Sequence, residues 1–495
     1  MKILLVSPQT PDTFWSFRHV VRLAAKRAAF PPLGLLTVAA MLPAEWELRL
    51  VDLNVTRWRD ADLRWADCVM LSAMRVQRRS VEEVLARCAA AGVTVIAGGP
   101  LFTTGHEEFA RLHHVVLGEA EEIMPRLVED LRRGTLQPLY RAGGFPSLDR
   151  TPVPRWDLVD LRQYATMAVQ FSRGCPFDCE FCDIVAMNGR TPRTKSPAQV
   201  VAELEALRVR GWRDMVFLVD DNFIGDKRRA RALLEALVEW RERTGTPIGF
   251  LTEASVNLAD DAGLCALMVR AGFTKVFVGI ETPSAEALAE CHKVQNRGRD
   301  LVAAVRTLQA AGLEVMGGFI VGFDSDRADI FHRQFEFIQR SGVVTAMVGL
   351  LTALPRTRLY ERLKQEGRLV QESSGNNTAA ELNFVTRLQR DFLLAGYRDL
   401  MQRLYEPRVY YARIRNFLKN HRPQLGPRPR LSAGDVQAFL KSFWLLGLRH
   451  RGRRAYWRLF WGTLLRRPRQ FRQTIELAII GYHFRRVARS LVATA

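Results

Sequence analysis

The sequence predicts an α/β fold in three parts: a doubly wound parallel sheet, a partial (β/α)6 barrel, and a mainly helical basic domain. Three observations support this prediction. Short β-rich apolar runs alternate with helical ones up to about residue 122, the same alternation returns at about residue 165, and the charge balance changes near residue 401. A chain of 495 residues has room for about three domains. The expected division is residues 1–140 for the sheet, 141–165 for a linker, 166–366 for the barrel and 367–495 for the terminal domain.

Five apolar runs predict the strands of the first sheet. They cover residues 3–6, 48–51, 68–71, 93–97 and 115–117, with helices near 33–41 and 81–90. In such sheets a ligand sits beyond the carboxyl ends of the strands, and Gly98 and Gly99 there have no β-carbon to keep it from the backbone. Glycines after a strand are also common turn residues, so this signal is weak on its own.

Residues 123–165 are rich in Pro, Gly and Arg, which predicts a linker that crosses a surface. Beyond it, six strands are predicted at residues 167–171, 216–219, 249–251, 275–280, 315–321 and 346–350. Strands and helices alternate in order, which favours a parallel partial barrel with its chemistry at the carboxyl ends of the strands.

Three cysteines directly follow the first barrel strand. Cys175, Cys179 and Cys182 have the spacing C-x3-C-x2-C, and an aromatic residue precedes the last of them. Three thiolates can hold one iron–sulfur cube and leave one iron without a protein ligand. An electron carrier would close that position with a fourth cysteine. A structural zinc site is the alternative, but it needs a fourth Cys or His nearby, and the next one along the chain is the distant Cys265.

The positive charge is concentrated at the end of the chain. The net charge is +20, and residues 401–495 hold 21 Lys or Arg against 3 Asp or Glu. Large apolar residues stand among these arginines at 443–448, 456–461 and 475–484. Amphipathic helices of this composition suit the headgroup zone of an anionic membrane. The alternatives are aromatic side chains packed on the barrel with solvated arginines, or binding of single-stranded RNA. We expect no stable nucleic acid partner.

No run of about 18 apolar residues is present, and the first apolar run is too short for a signal peptide. The remaining cysteines stand singly in apolar or helical stretches, so no disulfide framework is implied. These features predict a reduced, cytoplasmic location, with peripheral contact to the inner face of a membrane as the further expectation.

The cysteine run resembles the signature of radical S-adenosylmethionine (SAM) enzymes, in which the open iron holds the amino and carboxylate groups of SAM. The preceding open sheet makes the chain similar to the cobalamin-binding class of these enzymes, as do the runs at 31–39, 51–54, 97–100, 117–121, 219–223, 278–282 and 319–323. Gly375-Asn-Asn-Thr378 and Tyr410-Tyr-Ala-Arg413 resemble a terminal domain of a subgroup that includes hopanoid methylases. The resemblance implies a 4Fe-4S cluster, SAM and cobalamin as cofactors.

The resemblance makes Glu281 the best candidate for a SAM contact, because a carboxylate in an apolar strand has few structural roles. A core ion pair is the alternative role for this residue. Lower-ranked SAM candidates are the polar residues that end two other strands: Asp220, Asp221, Asn222, Glu253 and Ser255. Helix capping is the alternative role for these residues.

For cobalamin, the candidates lie after the strands of the first sheet: Ser72, Arg75, Gln77, Gly98, Gly99, Gly118 and Glu119. Residues 8–17 contain no histidine, so we expect no histidine ligand to cobalt. Arg75 or Gln77 near cobalt is a hypothesis, and two solvated polar side chains are the alternative.

The resemblance further implies that reduced cluster and SAM generate a radical that activates an unactivated carbon, which then takes a methyl group from methylcobalamin. We expect a methyltransferase acting on a lipid such as a hopanoid, supplied with electrons by an external donor. One alternative is a radical SAM enzyme that cyclises, couples or rearranges its substrate without methylation. Another is a cobalamin-binding sensor with a structural cluster. A transfer RNA methylthiotransferase would need three more cluster cysteines in the first domain, where only Cys68 and Cys88 occur.

Overall fold

Six parallel strands in the order β2-β1-β3-β4-β5-β6 form the first sheet. The computed structural model describes residues 1–109, 112–422 and 433–493. The strands are β1 (Lys2–Ser7), β2 (Glu47–Asp52), β3 (Cys68–Ser72), β4 (Thr94–Gly98), β5 (His114–Leu117) and β6 (Leu139–Arg141). The helices are α1 (Arg18–Val21), α2 (Leu33–Ala40), α3 (Asp60–Trp65), α4 (Arg78–Ala91), α5 (Pro100–Gly105) and α6 (Met124–Arg133). The central run 3–6 is fully buried, because helices cover both faces of a parallel sheet.

The five predicted strands are present, and the structure adds β6 at the edge. This strand has only three residues and lies among prolines and glycines, so its pattern could not be distinguished from a linker. Only Tyr140 of β6 is buried, and its hydroxyl donates a 2.8 Å hydrogen bond to Asp130 on α6. The segment after β6 runs over the surface in short 3-10 turns and anchors itself through buried Trp156 and Tyr164.

The second sheet is a partial barrel of six parallel strands in the order β14-β13-β12-β11-β10-β7. Its elements confirm the predicted fold class. The strands are β7 (Met167–Val169), β8 (Ser172–Arg173), β9 (Arg193–Thr194), β10 (Val216–Leu218), β11 (Phe250–Glu253), β12 (Phe273–Glu281), β13 (Glu314–Val321) and β14 (Ala346–Leu350), of which β8 and β9 form a separate antiparallel pair. The helices are α7 (Ile184–Asn188), α8 (Pro197–Val209), α9 (Lys227–Thr244), α10 (Ala262–Ala271), α11 (Ala285–Glu290), α12 (Leu301–Ala311), α13 (Ile330–Ser341) and α14 (Arg358–Gln365).

A loop of the first unit packs against the barrel strands. The Trp15 ring stacks on Phe217 of β10 at 5.9 Å and lies 5.1 Å from Phe277 of β12. Side chains alternate along a strand, so Phe217 faces away from its buried neighbours Val216 and Leu218. Trp15 therefore joins the two units through the opposite face of the second sheet.

The terminal part is helical, as predicted, with α15 (Arg390–Leu404), α16 (Pro407–Asn420), α17 (Ala433–Ser442), α18 (Arg453–Arg466), α19 (Phe471–Ala493) and a π-helical stretch at Phe443–Arg449. These helices cover the open edge of β14. Tyr397 donates a 3.0 Å hydrogen bond to the carbonyl of Val348, and Tyr405 donates one to that of Ala346. Arg413 donates a 3.2 Å hydrogen bond to the carbonyl of Val344.

Every second carbonyl from Val344 to Val348 thus accepts a hydrogen bond from α15, from α16 or from Tyr405 between these helices. An uncovered edge strand would leave these groups unpaired and open to pairing with another chain. Across the described ranges, the structure contains no helix that is both long and apolar enough to cross a bilayer.

Candidate active site

The cysteine loop starts beyond the carboxyl end of β7 and is fixed at Gly174. This residue has φ +94°, and an added β-carbon would lie 2.9 Å from the carbonyl oxygen of Thr191, so glycine is required. Its amide donates a 2.7 Å hydrogen bond to Asp221 Oδ2 at the end of β10. Asp221 therefore sets the start of the loop by tying it to a neighbouring strand.

Of the three cysteines, Cys179 is buried and Cys175 and Cys182 are partly buried, and hydrogen-bond donors lie close to the thiols. The amide of Asn222 lies 3.9 Å from Cys175 Sγ, and that of Gln295 lies 3.7 Å from Cys179 Sγ. Burial raises the pKa of all three thiols, including Cys182, whereas the positive charge of Lys293 lowers the pKa of each. Among the described residues, no three Cys, His, Asp or Glu side chains are grouped as a single-ion site.

Amide donors and a buried ammonium group stabilise thiolates, which is the form that binds iron. This donor set therefore fits an iron–sulfur cluster held by Cys175, Cys179 and Cys182. The pattern of three cysteines from one loop was predictable from their spacing, whereas Lys293 and Gln295 come from a distant segment after α11.

Glu281 ends β12 in an unusual backbone conformation. Its φ is +64°, and the pairing register with β13 shifts between Gly279 and Glu281. The carboxylate accepts a 2.7 Å hydrogen bond from Lys293 Nζ, and the backbone carbonyl accepts one from Gln334 at 3.1 Å. Non-glycine residues with positive φ are costly and concentrate at functional sites. The buried ion pair, which was the alternative to a SAM contact, is thus present at the best SAM candidate.

The other SAM candidates lie next to the cysteine loop at the ends of β10 and β11. Asn222 Oδ1 accepts hydrogen bonds from the backbone amide of Ser255 at 3.1 Å and from its hydroxyl at 3.3 Å. Burial, followed by the charges of Asp221 and Asp220, raises the pKa of Glu253 to about 8. Asp220 accepts bonds from Phe171 N and Ser172 Oγ, both at 2.8 Å, and its pKa rises to about 7 because it is buried.

Asp220 thus fixes the residues that follow β7, and Asp221 and Asn222 fix the cysteine loop. Within the described parts of the chain, no hydrogen-bond partner is found for the Glu253 side chain, which leaves its largely protonated carboxyl group available near neutral pH.

At the first sheet, the predicted glycines and Ser72 come together at the carboxyl edge. Gly99 has φ +91°, and a β-carbon there would lie 2.6 Å from Ser72 Oγ. Gly98 contacts Val116 across the strands, and Gly118, with φ +88°, has nothing closer than 3.9 Å to an added β-carbon. Bare backbone at this edge fits a large planar ligand such as a corrin.

Two other candidates at this sheet are occupied by protein contacts. Arg75 is buried, pairs with Glu108 at 2.9 Å and donates a 3.3 Å hydrogen bond to the carbonyl of Ser373. The Gln77 amide donates a 2.7 Å hydrogen bond to the carbonyl of Pro8. Just before Arg75, the Met74 side chain is 60% exposed beyond the end of β3.

Glu119 lies in an ion-pair cluster between the two units. Its carboxylate contacts Arg193 at 2.9 Å and also pairs with Arg173, which in turn pairs with Glu121 at 2.8 Å. Arg173 is two residues before Cys175, so this cluster couples the first sheet to the cysteine loop. No sequence signal indicated Arg173 or Arg193, because the pairing forms only when the two units dock.

The segment 373–378 lies between the first sheet and the barrel. The Gly375 backbone lies against Arg75, where an added β-carbon would be 2.8 Å from Arg75 Cβ. The carbonyl of Asn377 lies 2.8 Å from the position of a β-carbon at Gly349 on β14. The glycine of the 375–378 run is therefore required for close contact with the other unit.

Family models match all three parts of the chain. A B12 binding domain matches residues 18–128, the radical SAM superfamily matches residues 169–338, and a domain of unknown function (DUF4070) matches residues 357–495. The chain is 41% identical over 489 residues to "Uncharacterized methyltransferase sll1242" of Synechocystis sp., with 98% of this chain and 91% of the relative covered. It is 34% identical over 478 residues to "Hopanoid C-2 methylase" of Rhodopseudomonas palustris, with 94% and 90% covered.

The chain belongs to the cobalamin-dependent radical SAM methyltransferases. Enzymes of this family use a 4Fe-4S cluster, SAM and cobalamin. The radical SAM methyltransferase TsrM of Kitasatospora setae has the same fold, with a TM-score of 0.62 over 99% of both chains and 15% identity. The cobalamin-dependent radical SAM enzyme OxsB also has a TM-score of 0.62, over 100% of this chain and 80% of its own, with 13% identity. At these identities the likeness shows the fold alone.

Proposed function

We propose that this enzyme methylates an unactivated carbon of a lipid of the hopanoid type. The observation that carries the proposal is the 34% identity to a hopanoid C-2 methylase, which extends over 94% of the chain. The match is too long to be confined to the cofactor-binding parts, so it also includes most of the terminal domain.

We assign the cluster to Cys175, Cys179 and Cys182, and SAM to the adjoining strand ends at Glu281, Asp221, Asn222, Glu253 and Ser255. Cobalamin is assigned to the carboxyl edge of the first sheet at Ser72, Arg75, Gln77, Gly98, Gly99, Gly118 and Glu119. When bound, these groups supply radical formation and methyl transfer. The chain supplies position, shielding from water and charge.

The assignment of SAM to Glu281 places the ligand beside the ion pair of Lys293 and Glu281, whose side chains lie 2.7 Å apart next to the cysteine loop. The Glu281 carboxylate would then accept a hydrogen bond from SAM in addition to the one from Lys293. The largely protonated Glu253 can donate a hydrogen bond near neutral pH, while Glu281 accepts one.

The segment 373–378 supports a substrate position between the two sheets. It contacts Arg75 on the first unit and Gly349 on the barrel. A substrate bound there would contact the terminal domain on one side and lie between the two cofactor sites. Arg75 would then hold segment 373–378 in place through its hydrogen bond to Ser373, besides contacting cobalamin.

The direct test is anaerobic reconstitution with cobalamin, a reductant and SAM that carries a trideuterated methyl group, followed by addition of hopanoid lipid. The expected product is heavier by one deuterated methyl group in mass spectrometry. SAM cleavage that gives an altered but unlabelled product would instead favour cyclisation, coupling or rearrangement. Intact SAM would favour a sensor.

The cysteine assignment is tested separately with Cys175→Ala, Cys179→Ala and Cys182→Ala. Each should remove the iron–sulfur absorbance near 400 nm and SAM cleavage. Cys265→Ala is the matched control, because this buried thiol lies on α10 away from the loop. Retention of the absorbance in any of the three variants would contradict the assignment.

We further propose a cytoplasmic enzyme that receives electrons from an external donor protein and contacts the membrane peripherally. A lipid substrate and the basic terminal helices support this location.

A further inference from the structure

The terminal helices carry a large apolar face that is turned to solvent. On α17 and the π-helical stretch, Leu440 is 61% exposed, Trp444 61% and Leu448 46%, at a spacing of four residues. On α18, Trp461 is 52% exposed and Leu465 77%, again four residues apart. Residues four apart lie on the same side of a helix, so each helix presents an apolar stripe.

The two stripes form one surface, which we call the tryptophan face and define by Leu440, Phe443, Trp444, Leu448, Trp457, Trp461 and Leu465. Phe443 and Trp457 join the helices by an edge contact at 4.8 Å, and Trp457 stacks on Trp461 at 6.3 Å. Contiguous exposed apolar surface of this kind marks interaction sites.

Phe443 and Trp457 connect the two helices, whereas the more exposed side chains of the face extend into solvent. The opposite sides of the same helices supply their packing through Leu446, Tyr456, Leu459 and Phe460, all of which are buried. One side of these helices thus packs its aromatic residues on the protein, and no described residue covers the tryptophan face.

The charge around the tryptophan face is positive. From residue 436 to residue 471 the sequence contains no Asp or Glu. Exposed arginines adjoin the face, among them Arg449, Arg453, Arg454, Arg458 and Arg466. Exposed Trp and Leu with surrounding arginine match the requirements of an anionic lipid interface, where aromatic rings enter the headgroup layer and arginines pair with phosphates.

We propose that the tryptophan face docks the enzyme on an anionic phospholipid bilayer. This inference rests on the proposed function, because an enzyme that methylates a lipid needs access to the membrane that contains it. A second copy of the chain is disfavoured as the occupant, since it would bring another strongly positive surface. A nucleic acid would use the rings and arginines but would leave the exposed leucines in water.

The test uses sedimentation of the full-length reconstituted enzyme with vesicles of equal parts phosphatidylglycerol and phosphatidylcholine. Leu465→Glu places a negative charge in the face and should lower the fraction bound by about tenfold. Val209→Glu is the matched control, since Val209 is 69% exposed at the end of α8, and its binding should equal that of the parent enzyme. Trp444→Ser with Trp461→Ser should also weaken binding.

Vesicles of phosphatidylcholine alone should bind the enzyme weakly, and high salt should release it from the anionic vesicles. Equal binding of Leu465→Glu and Val209→Glu would overturn the proposal. So would binding to single-stranded RNA that competes with vesicles, or a dimer that Leu465→Glu dissociates. Methyl transfer to hopanoid dispersed in detergent is measured in parallel, and its failure would overturn the proposed function without affecting vesicle binding.

Discussion

Lys293 and Glu281 form an ion pair beside the cysteine loop, and both side chains are about nine-tenths buried. Lys293→Met should lower the free energy of unfolding by about 3 kcal/mol, because Glu281 would keep a buried charge without its partner. Urea denaturation under anaerobic conditions measures this change. Arg79→Met is the control, since that residue forms an exposed pair with Glu83 and should leave stability unchanged. An unchanged urea midpoint in Lys293→Met would show that the ion pair does not contribute to stability.

At the scale of single residues, the sequence predicts sites whose residues are close together in the chain. It does not predict contacts that form only when distant segments meet in the fold. The cysteine spacing predicts the cluster loop because all three thiols lie in one short run. Glu281 is predicted as a SAM contact because a carboxylate in an apolar strand is unusual. Lys293 gave no signal, because a lone lysine after α11 is indistinguishable from a solvated one until the fold brings it to β12.

Helices α15 and α16 act on the barrel edge through single hydrogen bonds. Tyr397→Phe removes the donor to the carbonyl of Val348 and leaves a buried acceptor unpaired, which should cost about 1–2 kcal/mol. Chemical denaturation measures the difference from the parent enzyme. Tyr482→Phe on α19 is the control and should cost less, because no hydrogen bond joins that hydroxyl to another described residue. A larger cost at Tyr482 would contradict the proposed edge cap.

Helix α19 is held to the first unit by a histidine that is neutral when folded. His483 Nε2 lies 3.1 Å from the carbonyl oxygens of both Thr13 and Phe14, so this nitrogen carries the hydrogen that they accept. Burial lowers the pKa of His483 to about 4, despite those hydrogen bonds. Between about pH 6.5 and pH 4 the unfolded chain binds a proton that the folded chain does not, so stability falls as the pH falls.

His483→Gln keeps a donor and removes this proton linkage. The loss of unfolding free energy between pH 7 and pH 5 should therefore be smaller than in the parent by about 2 kcal/mol. Urea denaturation across this range gives the comparison. His332→Gln serves as control, because His332 is 65% exposed and its substitution should leave the pH dependence intact. If the unfolding free energy of His483→Gln falls with pH as much as that of the parent, the proton linkage is refuted.

At the scale of elements, regular alternation of apolar runs was enough to predict the six barrel strands and five strands of the first sheet. The missed strand β6 shows the limit of that signal, since three residues are too few to show a period of two. The terminal helices were predicted from composition, but their contact with the edge of β14 depends on packing that no local pattern records.

The whole molecule is joined by the cluster of Glu119, Glu121, Arg173 and Arg193. Glu119→Gln should weaken docking of the two units by about 3 kcal/mol, because both arginines would lose a mostly buried anionic partner. Thermal unfolding should then separate into two transitions, and protease should cut faster within residues 141–165. Glu129→Gln, which removes an exposed pair on α6, should do neither. A single transition at the parent temperature would show that other contacts dominate docking.

The covered edge of β14 limits how this enzyme can be recombined with its relatives. Without α15 and α16, the carbonyls of Val344, Ala346 and Val348 would lie bare along the last strand. A truncated catalytic core would then recruit neighbouring copies by strand addition and accumulate as insoluble protein. Chimeras built to exchange substrate preference should therefore transfer β14 together with these helices, with the junction placed before residue 342.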